Sequence, residues 1–171
     1  FEKNIEVSRG FLKHSALRNA TLRNVCIGDN CLVENIGNYI NNYTIEEECY
    51  ISNVSTMETT EGATFGEGNL ISVLKEVGEG NVMLFNGLNS QLAAFMVKHN
   101  ADKNLRDQLR TMIADELERT LPERGTIGFG VKIVNTREVI NTIVQDNCEV
   151  NGAARLFDCS LLSVAGTGVY V

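Results

Sequence analysis

The sequence predicts a mainly β chain wound as a single-stranded parallel β-helix of six-residue repeats, interrupted by an inserted β-hairpin and two α-helices. Three observations predict it. Bulky apolar residues recur at steps of six as Ile27, Val33, Tyr39, Ile45, Ile51 and Met57, and again as Val144, Val150, Leu156 and Leu162. The residues four places later are mostly small: Cys31, Gly37, Cys49 and Ser55 with Tyr43 as the exception, then Cys148, Ala154, Ser160 and Gly166. Between them stand the triplets Gly28-Asp29-Asn30, Ile40-Asn41-Asn42, Glu46-Glu47-Glu48 and Gln145-Asp146-Asn147, rich in residues that tolerate turn backbones.

An ordinary antiparallel sheet also alternates in step with six, but it needs hairpin punctuation, and these hexads run on without insertion from Ile27 to Met57. A coil meets the pattern. In each hexad a short strand points the small companion and the next bulky residue inward, as with Cys31 and Val33 around an outward Leu32, and the following three residues turn a corner. Three hexads close a coil of eighteen residues, so Ile27 stacks over Ile45, Val33 over Ile51 and Cys31 over Cys49 at roughly 4.8 Å. Each coil buries its neighbour's core. Ile36, Val54 and Phe157 fall on corners and need local cover.

The coils cover about residues 14–60 and 125–168, in one domain. The block Gly125 to Ile143 fits less cleanly: Ile127, Ile133 and Val139 keep the step of six, Arg137 and Ile143 take the companion places, and the frame slips by one before Val144. About residues 61–124 form the insertion. A hairpin spans 70–85, with Leu70 to Val77 and Asn81 to Phe85 flanking Gly78-Glu79-Gly80. Two helices follow over 88–99 and 102–120, with apolar stripes Leu88, Leu92, Phe95, Met96, His99 and Leu105, Leu109, Met112, Ile113, Leu117, ended by Pro122 and Gly125. These stripes are read as packing surfaces, against the coil or another subunit, or as a ligand-binding lid.

Composition narrows the function classes. The formal net charge is −7 with the acidic residues dispersed, so nothing resembles the basic stripe that nucleic acid requires. No apolar run approaches the ~20 residues that span a bilayer and the N-terminus has no signal-peptide pattern, which points to the cytoplasm. The five cysteines include no C-x-x-C pair, so neither a zinc nor a redox motif is written, and Cys31 and Cys49 are expected to stay free thiols. Asn-x-Ser/Thr triplets at Asn19, Asn42 and Asn53 lie in Asn-rich turn sequence and are read as turns rather than glycan acceptors. The glycine clusters Gly66-Glu67-Gly68, Gly78-Glu79-Gly80 and Gly125 to Gly130 lack the strand-loop-helix context of a phosphate loop and read as tight turns.

On these hexads the chain resembles the hexapeptide-repeat transferase superfamily. The resemblance implies a left-handed coil, assembly as trimers, and an acyltransferase-like or sugar-nucleotidyltransferase-related activity using acetyl-coenzyme A or a nucleotide-sugar. More closely, Lys13-His14-Ser15 to Asn53 and Gly125 to Leu162 look like the N-terminal part of a longer bacterial family of unknown function, which implies a catalytically poor fragment. Acyltransferases of the superfamily use a histidine as general base, a role suited to an imidazole near its natural pKa. The chain has two histidines. His14 is the candidate base, with a surface residue as the alternative; His99 ends a helix and reads as interfacial. The carbonic anhydrases of this fold need three histidines around zinc, so that reading fails. A metal edge at Glu46-Glu47-Glu48 would relieve stacked like charges; a solvated corner is the simpler reading. A transferase-like site and a non-catalytic structural or oligomerisation module remain as the two functional readings.

Overall fold

A computed structural model describes residues 2–73, 80–163 and 167–171. It divides into two compact units, one running from the N-terminus to Phe65 and resuming over Glu123–Val171, the other formed by Gly66–Pro122.

The first unit opens with an antiparallel hairpin, β1 (Asn4–Ser8) and β2 (Phe11–His14), joined through Arg9 and Gly10. The hexad pattern gave no sign of it. Strands β3 (Ala16–Arg18), β4 (Leu22–Ile27), β5 (Leu32–Ile45) and β6 (Tyr50–Glu58) follow. The second unit then contributes β7 (Leu70–Ser72), β8 (Asn81–Met83), α1 (Ser90–Lys98) and α2 (Lys103–Thr120). The first resumes with β9 (Gly125–Ile127), β10 (Lys132–Val134), β11 (Glu138–Val144), β12 (Glu149–Asn151) and β13 (Arg155–Leu161).

Beyond the opening hairpin, every strand pairing in the first unit is parallel, among the described residues. β5 pairs with β6 and β9, and β11 pairs with the same two strands, so parallel strands close into a ring. Ile27 pairs with Ile45 and Val33 with Ile51, at the eighteen-residue offset read from the sequence. Three apolar columns fill the interior: Ile27, Ile45, Ile127, Val144; Val33, Ile51, Ile133, Val150; and Ile40, Met57, Val139, Leu156. The slip before Val144 is real, since Val144 pairs with Ile127 seventeen positions earlier.

Several expectations need correction. Tyr39 is not an inward residue: a register shift between Ile36 and Tyr39 hands its place to Ile40, which is fully buried and pairs with Met57. Of the triplet Ile40-Asn41-Asn42, Ile40 turns inward, while Asn42 keeps a corner backbone with φ 60. Gly37 is exposed, and the companion places at that corner belong to Ile36 and Val54, 5% and 1% exposed and paired with each other. In the third block the buried companions are Thr136 and Thr142, one residue before Arg137 and Ile143. At the C-terminal end, Ala154 and Leu162 face solvent, and Phe157 is exposed with the Arg155 guanidinium 4.4 Å from its ring centre. Gly166 and the proposed hairpin turn Gly78-Glu79 lie outside the described residues.

The corners are built from residues with positive φ, stacked in columns. Asn19, Asn35, Asn53, Asn135 and Gly152 make one, and Asn30, Glu48, Gly130 and Asn147 a second. Asn24 and Asn42 stand over one another at a third, and Asn141 and Asp158 continue the same habit. Asparagine tolerates this backbone better than any residue except glycine. Its amide then links circuits: Asn24 donates to Asn42 Oδ1 at 2.8 Å, Asn53 to Asn135 Oδ1 at 3.0 Å and Asn135 to Asn151 Oδ1 at 3.3 Å.

In the second unit β7 and β8 form an antiparallel pair. The Asn89 side chain caps α1 by accepting from Leu92 N, and Asp102 caps α2 by accepting from Leu105 N. Val82, Met96, Ile113 and Leu117 are its buried core, while Phe95 and Met112 of the expected stripes are exposed. No helix among the described residues is long and apolar enough to cross a membrane.

Candidate functional site

The outward residues of one face of the ring stack in two columns. The first holds Ala16, Leu32, Tyr50, Lys132 and Glu149; the second Arg18, Glu34, Ser52, Val134 and Asn151. Along the first the chemistry changes from apolar to charged. The opening hairpin lies across the apolar end, packing Ile5 and Val7 on Leu32 and Tyr50, so that Leu32, outward as expected, is nevertheless fully buried.

Beneath the hairpin Glu34 is only 4% exposed and accepts from Lys13 Nζ at 2.7 Å and Ser52 Oγ at 3.4 Å. This hydrogen bond to Glu34 raises the Lys13 pKa, which pins β2 to the sheet by a charge-assisted contact. A carboxylate so buried without that partner would be strongly unfavourable.

Where the hairpin ends, a groove of about 340 Å³ opens between its tip, Glu6 to Arg9, and the charged end of the face, Tyr50, Lys132, Val134, Glu149 and Asn151. Glu6 Oε1 accepts from Gly10 N at 2.8 Å and holds the tip in shape. Arg9, Lys132 and Glu149 make no ion pair among the described residues. Two cations, two carboxylates, of which Glu6 is engaged by Gly10 N, an amide and a tyrosine edge thus line one polar hollow. Such a set suits a hydroxyl-rich ligand carrying an anionic group.

His14, the candidate base, is exposed on β2 with Nδ1 3.3 Å from Asn4 Oδ1, and it does not line this groove. His99 caps the C-terminus of α1 in the second unit, its ring 4.5 Å from that of Phe95. The Glu46-Glu47-Glu48 corner lies between Gly28-Asp29-Asn30 on one side and Gly128 to Gly130 on the other, so Asp29 is its acidic neighbour in those triplets, and Lys3 pairs with Glu48. No cluster of three or more His, Cys, Asp or Glu suited to a metal occurs among the described residues. The amide nitrogens of Asn19, Asn42 and Asn53 are spent on Asn35 Oδ1, Thr59 O and Glu123 O, and Asn135 Oδ1.

All five cysteines are free. Cys31 and Cys49 donate to the carbonyls of Glu46 and Gly128 on the following circuit, at 2.9 and 3.0 Å. The neighbouring Cys31 thiol, reinforced by burial, holds the Cys49 thiol above its ordinary pKa, an inert rather than a nucleophilic state.

Sequence reasoning missed the groove because Lys132 and Glu149 sit between inward residues, Asn151 sits before a corner glycine, and all three look like ordinary surface. Once the circuit offset is known, Tyr50, Lys132 and Glu149 fall in one column. The hairpin that walls the groove had no comparable signal. No curated protein and no solved structure matches the chain. A family model described as a domain of unknown function (DUF4954) matches residues 1–171, the whole of the sequence, and the chain therefore belongs to that family.

Proposed function

We propose that the chain is a left-handed hexapeptide-type β-helix of a transferase-related protein, and that the groove beside its N-terminal hairpin holds a hydroxyl-rich, phosphate-bearing ligand of the nucleotide-sugar or acyl-coenzyme A kind. The observation that carries the reading is the convergence of Arg9, Lys132 and Glu149, without ion-pair partners among the described residues, on one polar groove. Arg9 and Lys132 supply positive charge for phosphate, Glu149 and Asn151 accept and donate to hydroxyls, and the Tyr50 edge offers an apolar contact for a sugar ring. The seventeen- or eighteen-residue circuits and the columns of positive-φ corner residues support the coil.

Titration calorimetry with acetyl-coenzyme A and a set of uridine-diphosphate sugars tests this. Saturable binding of one ligand is expected, weakened at least tenfold by Lys132→Glu or Arg9→Glu, since each removes a charge-assisted contact of about 1.5–3 kcal/mol. Absence of binding across the set refutes it. The chain alone is expected to turn over these donors poorly, and His14→Ala to leave any turnover unchanged, because His14 stands outside the groove.

The second reading, a structural and self-associating module, draws on Phe11, Leu12, Leu17 and Leu22, which are 36–57% exposed on the opening hairpin and first circuit. Sedimentation equilibrium distinguishes it: a trimer that dissociates in Leu17→Glu favours this reading.

A further inference from the structure

We infer that the Gly66–Pro122 unit carries a binding site of its own for a slim aliphatic carboxylate, independent of the groove on the sheet face. Its helices are joined by a short connection in which Asp102 N donates to His99 O at 3.0 Å, so the end of α1 is held beside the first turns of α2. Arg106 and Arg110 stand one turn apart on α2 and share a face. With His99 they line a pocket together with Met83, Met96, Leu109 and Ile113. Basic groups beside an apolar lining are complementary to a ligand with an anionic head and a hydrocarbon body.

The two arginines are not equally committed. Arg106 Nε lies 3.5 Å from Asp107 Oδ1, whereas the half-buried Arg110 has no hydrogen bond or ion pair among the described residues. A half-buried guanidinium with no ion-pair partner among the described residues is available to a carboxylate, which it grips through two parallel hydrogen bonds. The size of the pocket sets the body. The free space is about 20 Å³, roughly the room of one water molecule, so a bulky or branched ligand does not enter. An unbranched chain can do so by displacing the thioether arms of Met83 and Met96, the most adaptable side chains in an apolar lining.

The four methionines of the chain provide the test. With methionine methyl groups labelled for NMR in the full chain, octanoate is expected to shift Met83 and Met96. Met57, fully buried in the first unit, and Met112, 67% exposed, should stay in place. Octanamide, which keeps the body and loses the charge, should bind at least tenfold more weakly. Acetate should be weaker still, because each buried methylene contributes about fourfold. Arg110→Gln should weaken octanoate at least tenfold with an unchanged far-ultraviolet dichroism spectrum, and Arg110→Lys should recover part of it. The inference is overturned by equal affinity for octanoate and octanamide, by shifts spread over all four methionines, or by full binding to Arg110→Gln. It is equally overturned if inorganic phosphate competes as well as octanoate does, or if a peptide with an apolar C-terminus binds much more tightly than octanoate.

Discussion

Replacing Tyr43 by Phe removes one oxygen atom and should change how stability depends on pH. Tyr43 is fully buried; its hydroxyl donates to Thr142 O at 3.1 Å and accepts from Thr142 N at 3.3 Å. The ring fits because the next circuit places Gly125 against it, where a Cβ would lie 2.3 Å from Tyr43 Cε1. Burial pushes the phenol pKa from 10 up to about 12, opposed in part by hydrogen bonds from Thr142 and Thr59. The folded-state pKa is raised, so the contribution to stability is complete below pH 10, where both states keep the proton. Between pH 10 and about 12 only the unfolded chain ionises, and stability falls by about 1.4 kcal/mol per unit, or about 3 kcal/mol over the interval.

At neutral pH, Tyr43→Phe leaves the buried Thr142 amide and carbonyl without their partner and should cost about 1–3 kcal/mol. As pH rises through 10 toward 12 the variant escapes the ionisation penalty, so the two stabilities should converge and then cross. The assay is urea unfolding followed by far-ultraviolet dichroism, since the chain contains no tryptophan. Groups other than Tyr43 titrate in both proteins and cancel in the difference. Near-ultraviolet absorbance should also show one of the four tyrosines ionising last in the folded protein. Parallel stability curves for the two proteins would refute the argument.

Ile45, 1% exposed between Ile27 and Ile127, should lose about 2–5 kcal/mol on replacement by Ala. Ile45→Asp, which adds a buried unpaired charge, should abolish the cooperative transition; an unchanged melting curve would show the stacking register to be wrong. Gly125→Ala should destabilise by at least about 1–3 kcal/mol in urea, because the added methyl meets both Tyr43 and Thr59 Oγ1, and wild-type stability in this variant would contradict that packing. Under native conditions a thiol reagent should label the exposed Cys26 promptly and reach Cys31, Cys49 and Cys148 only after unfolding, while non-reducing mass spectrometry should find no disulfide; early labelling of Cys49 would mean that the stack opens.

Periodicity is a local property of the chain, and it determined a great deal. Ile27, Val33, Ile45 and Ile51 announce the parallel stack because a repeating backbone demands a repeating apolar residue at each step. Single departures are invisible to that arithmetic: Tyr39 and Ile40 are both bulky and apolar enough to hold the place, and only the register against Met57 and Glu58 decides that Ile40 goes in. Tyr43 looked like a flaw among small companions until the fold set it against Gly125, eighty-two positions away, whose missing side chain makes the room. The candidate groove is still less legible. Its walls, the Arg9 tip and the Lys132 to Glu149 column, come from segments that no short-range rule connects, and they meet because Lys13 and Glu34 and the apolar contacts of Ile5 with Leu32 and Tyr50 lay the hairpin on that face. Sequence spacing sets which residues share a column; long-range packing and a half-buried ion pair set what lies across it.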